Sequence, residues 1–505
     1  MPLLLLGPFL PGTQLREARQ ICRPADTDSL VTGDLVNIWD VVFAWDEHCV
    51  PEKDLLTWRL KGDSLADTAL DELFEGTDAA HGVDLLEAVR SAAPRSASCT
   101  RFLLDLAQDP PPGIAASPAE FLAAHQFFWD NSAAILQSLL HMSLAGGFSS
   151  PRITRVLRAA SYLVPSHASK DKMTEEERER TFVRLLETLQ FVLDVMGGIH
   201  PDAPYPSSSA GFVDVMSPTR SGWTSAVRVR LLHALSRRRA RSRAPVDEVP
   251  LNQQDMLASL ASFSVVPIWA LIRMNPREFQ PSETERDAFV AVWRHIGWYM
   301  GVSPDLLRLH FSCYDAAAKL LATAGLTALL PEEGPGHFIP PTMPLLRAIA
   351  GRPPLRSSLE FHCALSRFML GDPLADHLLL PRTSLSGRIR LAFGLVAIQA
   401  PTWFGHIWRR AWRERRSLVF QHALPKMVRY HLGMRRTTFR PRERGKWALP
   451  DDVLSAENTG PRDQVGGARM QRDWLWLMCE MGIVSVSFGG VVLYTLVRIA
   501  RACSI

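Results

Sequence analysis

"PAEFLAAHQFFWDNSAAILQSLLHMSLAG", residues 118–146, returns apolar side chains every three or four positions, the period of a helix that buries one face. The same spacing runs through "EEERERTFVRLLETLQFVLDVM" (175–196), "DMLASLASFSVVPIWALIRM" (255–274) and "ERDAFVAVWRHIGWYMGV" (285–302). No stretch alternates over several residues, and Asn-Gly hairpin signals are missing, so strands have no clear signature. The spacing predicts an all-α protein.

Composition sets the remaining bounds. At 505 residues, 47% hydrophobic and 21% charged, the chain is an ordinary folded protein able to bury a large core. The net charge of +4 hides an uneven distribution, because residues 401–450 carry thirteen Lys/Arg against Glu414 and Glu443. That block reads either as a plain basic surface or as a patch for a polyanion or membrane surface. Seven scattered cysteines without a CxxC pair fit neither a disulfide framework nor a zinc site. The opening "MPLLLLGPFLPG" lacks the basic n-region and the run length of a signal peptide. "WLWLMCEMGIVSVSFGGVVLYTLV" (474–497) has one charge, Glu480, and is long enough to cross a bilayer, with Trp474, Trp476 and Tyr494 as interfacial anchors. A buried terminal helix is the alternative.

Pro, Gly and Ser gather at 166–173, 200–212, 330–344 and 440–467, and the last of these reads as a linker between body and tail. "GDSLADTALDEL" (62–73) and "GDPLADHLLLP" (371–381) echo each other. Both are expected to start helices, with Asp63 and Asp372 as caps. The motifs of zinc peptidases, di-iron bundles, dinucleotide and ATP enzymes, serine hydrolases and thiolate-haem oxygenases are missing from the sequence.

One histidine stands out. In "RVRLLHALSRRRARSR" (228–243), His233 lies between Arg230 and Arg237, at i−3 and i+4 on one helix face. Two adjacent guanidiniums oppose protonation, and a neutral imidazole is what a metal needs. Haem b combines a broad apolar plane, an iron that takes an axial nitrogen, and two carboxylates that arginines can pair with. A satisfied, partly buried histidine and an arginine-rich helix for nucleic acid remain open alternatives. His295 is expected to pack beside Trp293 and Trp298, with a second haem-side position as the alternative.

Three segments in order resemble the rubber oxygenases (latex-clearing proteins) and the MpaB-type oxygenases of fungal mycophenolic-acid biosynthesis. They are Arg230/His233/Arg237, then Pro250/Leu251/Asn252/Gln253, then Trp293/Arg294/Ile296/Gly297/Gly301, with "FMLGDPLADHLLLP" (368–381) similar to a later family segment. The resemblance implies a single large helical haem-binding domain over 118–440. A helical extension (1–117) precedes it, and a linker (441–473) and the possible membrane anchor (474–497) follow. It implies His233 as the axial ligand of haem b, with Arg230, Arg237 and Asn252 as cofactor-side residues, although Asn252 also suits a helix cap. "RLLET" (184–188) resembles the family's distal helix, which makes Arg184, Glu187 and Thr188 the catalytic candidates. Where the rubber enzymes carry a lysine over the iron, this chain has Glu187, and its segment between that helix and His233 is longer. Both departures point away from rubber as substrate.

The expectation is therefore a haem-dependent oxygenase using dioxygen on a hydrophobic isoprenoid or prenylated molecule, with cleavage of a C=C bond in fungal secondary metabolism as its finer part. It would be tethered to the endoplasmic reticulum with its body in the cytosol, and no nucleic-acid partner is expected. The alternative is a non-enzymatic, membrane-tethered helical scaffold using the basic patches at 228–243 and 401–446.

Overall fold

The computed structural model describes residues 18–39, 41–76, 80–160, 163, 173–201, 214–241, 248–328, 338–352, 356–407, 410–433, 435–441 and single positions between 472 and 490. Most of the linker segments, and most of the 474–497 tail, lie outside the described residues. Within the tail, Leu475, Trp476, Ile483 and Val486 are described and exposed.

The chain is built of helices, as its apolar period predicts, with one small addition. Strands β1 (Arg19–Gln20), β2 (Leu35–Ile38) and β3 (Val41–Ala44) form a sheet in which β1 runs parallel and β3 antiparallel to β2. The 1–117 segment is therefore not wholly helical. Each strand is too short to show a period of two. The turn between β2 and β3 also lacks a glycine or asparagine signal: Trp39 takes the left-handed conformation there (φ 56°), held by its indole N–H to Ala322 O. Val36, Ile38 and Phe43 pack on Ala322 and Leu326.

Helices α1 (Glu52–Arg59), α2 (Ser64–Leu73), α3 (Leu85–Ala92) and α4 (Ala97–Leu106) follow. Next come α5 (Pro118–Asp130), α6 (Ser132–Ser138), a π-helical turn (Leu139–Leu144), the short Ala145–Gly147 stretch and α7 (Pro151–Ala160). The main body is α8 (Glu175–Val195), α9 (Ser221–Ala240), α10 (Gln253–Met274) and α11 (Glu283–Tyr299). The chain continues through α12 (Pro304–His310), α13 (Tyr314–Ala328), α14 (Thr342–Ile349), α15 (Leu359–Leu370), α16 (Asp372–His377), α17 (Leu385–Ile407) and α18 (Arg410–His431).

Caps set the starts of the site-bearing helices. Thr174 with Glu177 and Ser282 with Glu285 form reciprocal capping boxes on α8 and α11, each satisfying two N–H groups left open by the first turn. Asn252 caps α10 by accepting from Asp255 N at 3.1 Å. Of the two echoed aspartates, Asp63 caps α2. Asp372 does not cap α16: Gly371 holds that place at φ 84°, and Asp372 is the first helical residue, bonded to Arg367.

Helix α10 is apolar and long enough to cross a membrane, and is mostly buried; in this fold it is the central core helix. It packs against α6, the π turn, α11 and α13. One continuous core runs from Val50 to Phe439, so α1–α4 share the core of the helices that follow them. Folding joins what the sequence suggested dividing at residue 117.

Candidate active site

A cavity of about 960 Å³ opens among α6, α8, α9, α10, α11 and α15, at the upper end of the size range of small-molecule sites. Its walls are mostly leucine, valine, isoleucine, methionine and phenylalanine, with Trp293. Helix α11 approaches α10 closely because residue 297 is glycine; a Cβ there would stand 2.7 Å from a Leu260 methyl.

His233 borders this cavity. Its Nδ1 is buried without a partner, leaving Nε2 as the nitrogen presented to the cavity. Burial pushes the imidazole down to about 3, and Arg237 and Arg184 add to the shift. The ring is neutral at physiological pH and has its lone pair available.

The three candidates on α8 reach the same space. Arg184, Glu187 and Thr188 all line the cavity. Arg184 Nη1 lies 3.5 Å from Glu187 Oε2 and donates to Thr188 Oγ1 at 3.3 Å. Thr188 in turn donates to the Arg184 carbonyl. Glu187 keeps only 12% of its side chain exposed, so its carboxylate belongs to the cavity wall and not to the outer surface.

Arg230, Arg237 and Asn252 are placed elsewhere, and none of them lines the cavity. Arg230 makes a two-pronged bond to Asp63 (2.7 and 3.1 Å) and reaches Asp105 at 3.2 Å. Arg237 donates to Asp67 at 2.8 Å and to Leu251 O at 2.9 Å. Both arginines are deeply buried. The expected pairing with carboxylates of a bound group is replaced by pairing with carboxylates of α2 and its neighbours. Helical spacing identified residues that share a broad face, but it did not say which part of that face meets the N-terminal helices.

Of the remaining motif residues, Gln253 and Gly301 complete the same buried hub. Gln253 Nε2 donates to Gly62 O and Gly301 O, and Gln253 Oε1 accepts from Ser303 N. Gly301 sits at φ +82°, where a Cβ would fall 2.2 Å from Asp63 Oδ2; only glycine leaves room for the ion pair. Arg294 donates to the carbonyls of Ile114, Phe311 and Ser312. The hub fixes α9, and with it His233, against α2 and α11.

Among the described residues, several arginines of 228–243 are paired with aspartates of the N-terminal helices, although Arg241 stays 60% exposed. Arg228 pairs with Asp84, and Arg238 and Arg241 with Asp71. His295 packs as expected: its Nδ1 accepts from Ala116 N and its ring meets Phe121 edge-on. The cavity's own cations are other arginines, including Arg158, Arg180, Arg239 and Arg352, which sequence reasoning did not single out. It also missed His362, which borders the cavity; its partner His141 is 221 residues away. Among the described residues no three His, Cys, Asp or Glu converge as a metal-ligand set.

A family model described as the catalytic domain of ER-bound oxygenase mpaB/B'/rubber oxygenase matches residues 128–400, more than half of the chain. Among solved structures, latex clearing protein in its closed state is similar at 14% identity and a TM-score of 0.47, covering 76% of this chain and 93% of that one. No curated protein matches the chain.

Proposed function

The chain belongs to the family of ER-bound mpaB-type oxygenases and rubber oxygenases, and from that premise we propose that it is a haem b-dependent oxygenase. Its substrate is a hydrophobic isoprenoid or prenylated molecule held in the cavity around His233. The observation that carries this reading is His233 itself: a neutral imidazole on the wall of a large apolar cavity, with one nitrogen orphaned and the other toward the open space. A single protein ligand suits a group that brings its other ligand atoms with it.

The residues present fit haem. His233 would hold the iron. The cavity arginines Arg180, Arg184 and Arg239 are candidates for its carboxylates, in place of Arg230 and Arg237. When bound, the haem supplies the redox chemistry that dioxygen requires. Around it the chain supplies an apolar wall that excludes water, and Glu187 is the carboxylate positioned to accept a proton from substrate. Arg184 orients Glu187 through the 3.5 Å contact, and Thr188 holds Arg184 in turn. Cleavage of a C=C bond and a place in fungal secondary metabolism are the finer parts of this reading.

The test is His233→Ala expressed with haem supplementation. The expected result is loss of the Soret band and bound iron with helical content nearly unchanged. A full Soret band with the wild-type spectrum overturns the assignment.

We also propose attachment to the endoplasmic reticulum through 474–497, with the body in the cytosol. Support comes from the 24-residue apolar run and the basic block before it. Full-length protein should resist alkaline carbonate extraction while residues 1–470 wash off; equal extraction of both overturns the anchor.

A further inference from the structure

Helix α17 is apolar on two opposite faces over its N-terminal half. Gly387, Leu391 and Leu395 are buried, and the helix packs against α15 and α18. Leu385, Ile389 and Phe393, four residues apart and so on one face, are instead 76%, 51% and 66% exposed. The two rows are offset by two positions, about 200° around the helix. A helix that faces water keeps its outer row polar. Here the polar residues flank the ridge: Arg388 and Arg390 stand on either side of Ile389, each about 100° round the helix from it. Arg388 is exposed, and Arg390 keeps 57% of its side chain exposed in a pair with Glu360. An apolar ridge between two long cationic side chains suits a membrane interface. Their aliphatic stems sink with the ridge, and their charged heads rise to the lipid phosphates.

Two further observations name a bilayer as what covers the ridge. The first is charge. Residues 385–431, which make α17 and α18, carry nine Lys/Arg against Glu414 alone, and Arg410 and Arg415 are 80% and 68% exposed. A second copy stacked on this face would set like charges together. Anionic headgroups over acyl chains match both the cations and the ridge. The second is the tail. Glu480, inside the apolar run 474–497, lies 3.8 Å from Arg415, just past the exposed Ile407 that ends α17. Another group of exposed apolar side chains, Trp476, Ile483 and Val486, therefore adjoins this pair of helices.

We propose that the exposed face of α17 rests in the headgroup layer of an anionic bilayer, with Leu385, Ile389 and Phe393 inserted and Arg388 and Arg390 at the lipid phosphates. The body is then laid against the membrane by a contact of its own instead of hanging from the tail. This deepens the reading that the chain works at a membrane, and it holds whether or not 474–497 spans it.

The experiment places the photo-crosslinker p-benzoylphenylalanine at position 393, 486 or 104, one at a time, in the full chain. Leu104 is the control, 62% exposed on α4, which packs on α2 and α3. Each protein is mixed with vesicles of phosphatidylcholine, alone or in equal parts with phosphatidylserine, then irradiated, and lipid adducts are quantified by mass spectrometry. With phosphatidylserine, position 393 should form at least about fivefold more lipid adduct than position 104, since basic residues near an anionic surface hold the face there. Combining Arg388→Glu with Arg390→Gln should cut that yield about fivefold or more, while position 486 keeps its own. Three results overturn the face: position 393 no richer than position 104, a yield indifferent to both phosphatidylserine and the charge change, or adducts to a second copy or another protein in place of lipid. Lipid adducts at 393 without any at 486 would sink the tail anchor alone; adducts at 486 without any at 393 would sink the face alone.

Discussion

The two GD-x-LAD segments are nearly the same in sequence and opposite in use. In each, an arginine engages two aspartates one helical turn apart. Arg237 meets Asp67 at 2.8 Å and Asp63 at 4.0 Å, while Arg367 meets Asp372 at 2.7 Å and Asp376 at 2.6 Å. The first cluster is sealed: Asp63 is 4% exposed and Asp67 15%. The second opens to water, with Asp372 80% and Asp376 46% exposed. What differs is the surroundings. Arg230, Gln253 and Gly301 close over the first copy, whereas Arg367 otherwise serves the Leu380 and Pro381 carbonyls of a nearby loop. Nearly the same short motif is a site-positioning device when buried and a loop fastener when exposed.

Breaking the sealed copy has the largest expected effect. Arg230→Ala strands Asp63 and Asp105 without their guanidinium, and removing one partner of a buried pair costs about 3–5 kcal/mol. Because the hub seats α9, the haem proposed for the cavity should be retained less well, but the fraction retained should keep the wild-type Soret position, since His233 is intact. Arg367→Ala releases its aspartates into water and loses mainly the loop bonds, for a cost of about 1–2 kcal/mol. Urea unfolding of both variants checks the order. If Arg367→Ala proves the more damaging, burial is not what separates the copies. A shifted Soret band in Arg230→Ala would mean that the arginine touches the cofactor.

The same contrast explains what could be read in advance. The helices were legible because period and caps are local: Thr174 with Glu177, Ser282 with Glu285, and Asn252 with Asp255 lie three residues apart. The β2–β3 hairpin was not, because its turn rests on a tryptophan held by Ala322, 283 positions away. His233, Arg184, Glu187 and Thr188 do share one cavity. Arg230 was assigned to a ligand because its true partner, Asp63, is 167 residues distant, in a segment placed outside the domain. His362 was not singled out because its hydrogen-bond partner, His141, lies 221 residues away. Local spacing says which residues share a face; only the fold says what that face meets.

The smallest expected effect is also the sharpest test, because acid should act on the two copies in opposite senses. At Asp67, burial raises the carboxyl above its ordinary value and outweighs the downward pull of Arg237. The folded state therefore binds the proton more tightly than the unfolded chain. Stability from that group is fully present below the unfolded value of about 3.9 and is lost as pH rises through the raised folded one. At Asp376, the bond from Arg367 lowers the carboxyl instead. Its stabilisation is present above about 3.9 and disappears as pH falls through the depressed value. Urea midpoints taken downward from neutral pH toward the ordinary carboxyl value of about 3.9 enter Asp67's window from above and stay above Asp376's. Over that range wild type should gain on Asp67→Asn as the solution is acidified, whatever the offset between them at neutral pH. Against Asp376→Asn it should hold a constant difference, which shrinks only below that range. Parallel curves for wild type and Asp67→Asn would show that the first copy is less sealed than its contacts imply. Early convergence of Asp376→Asn would show that the second is less open.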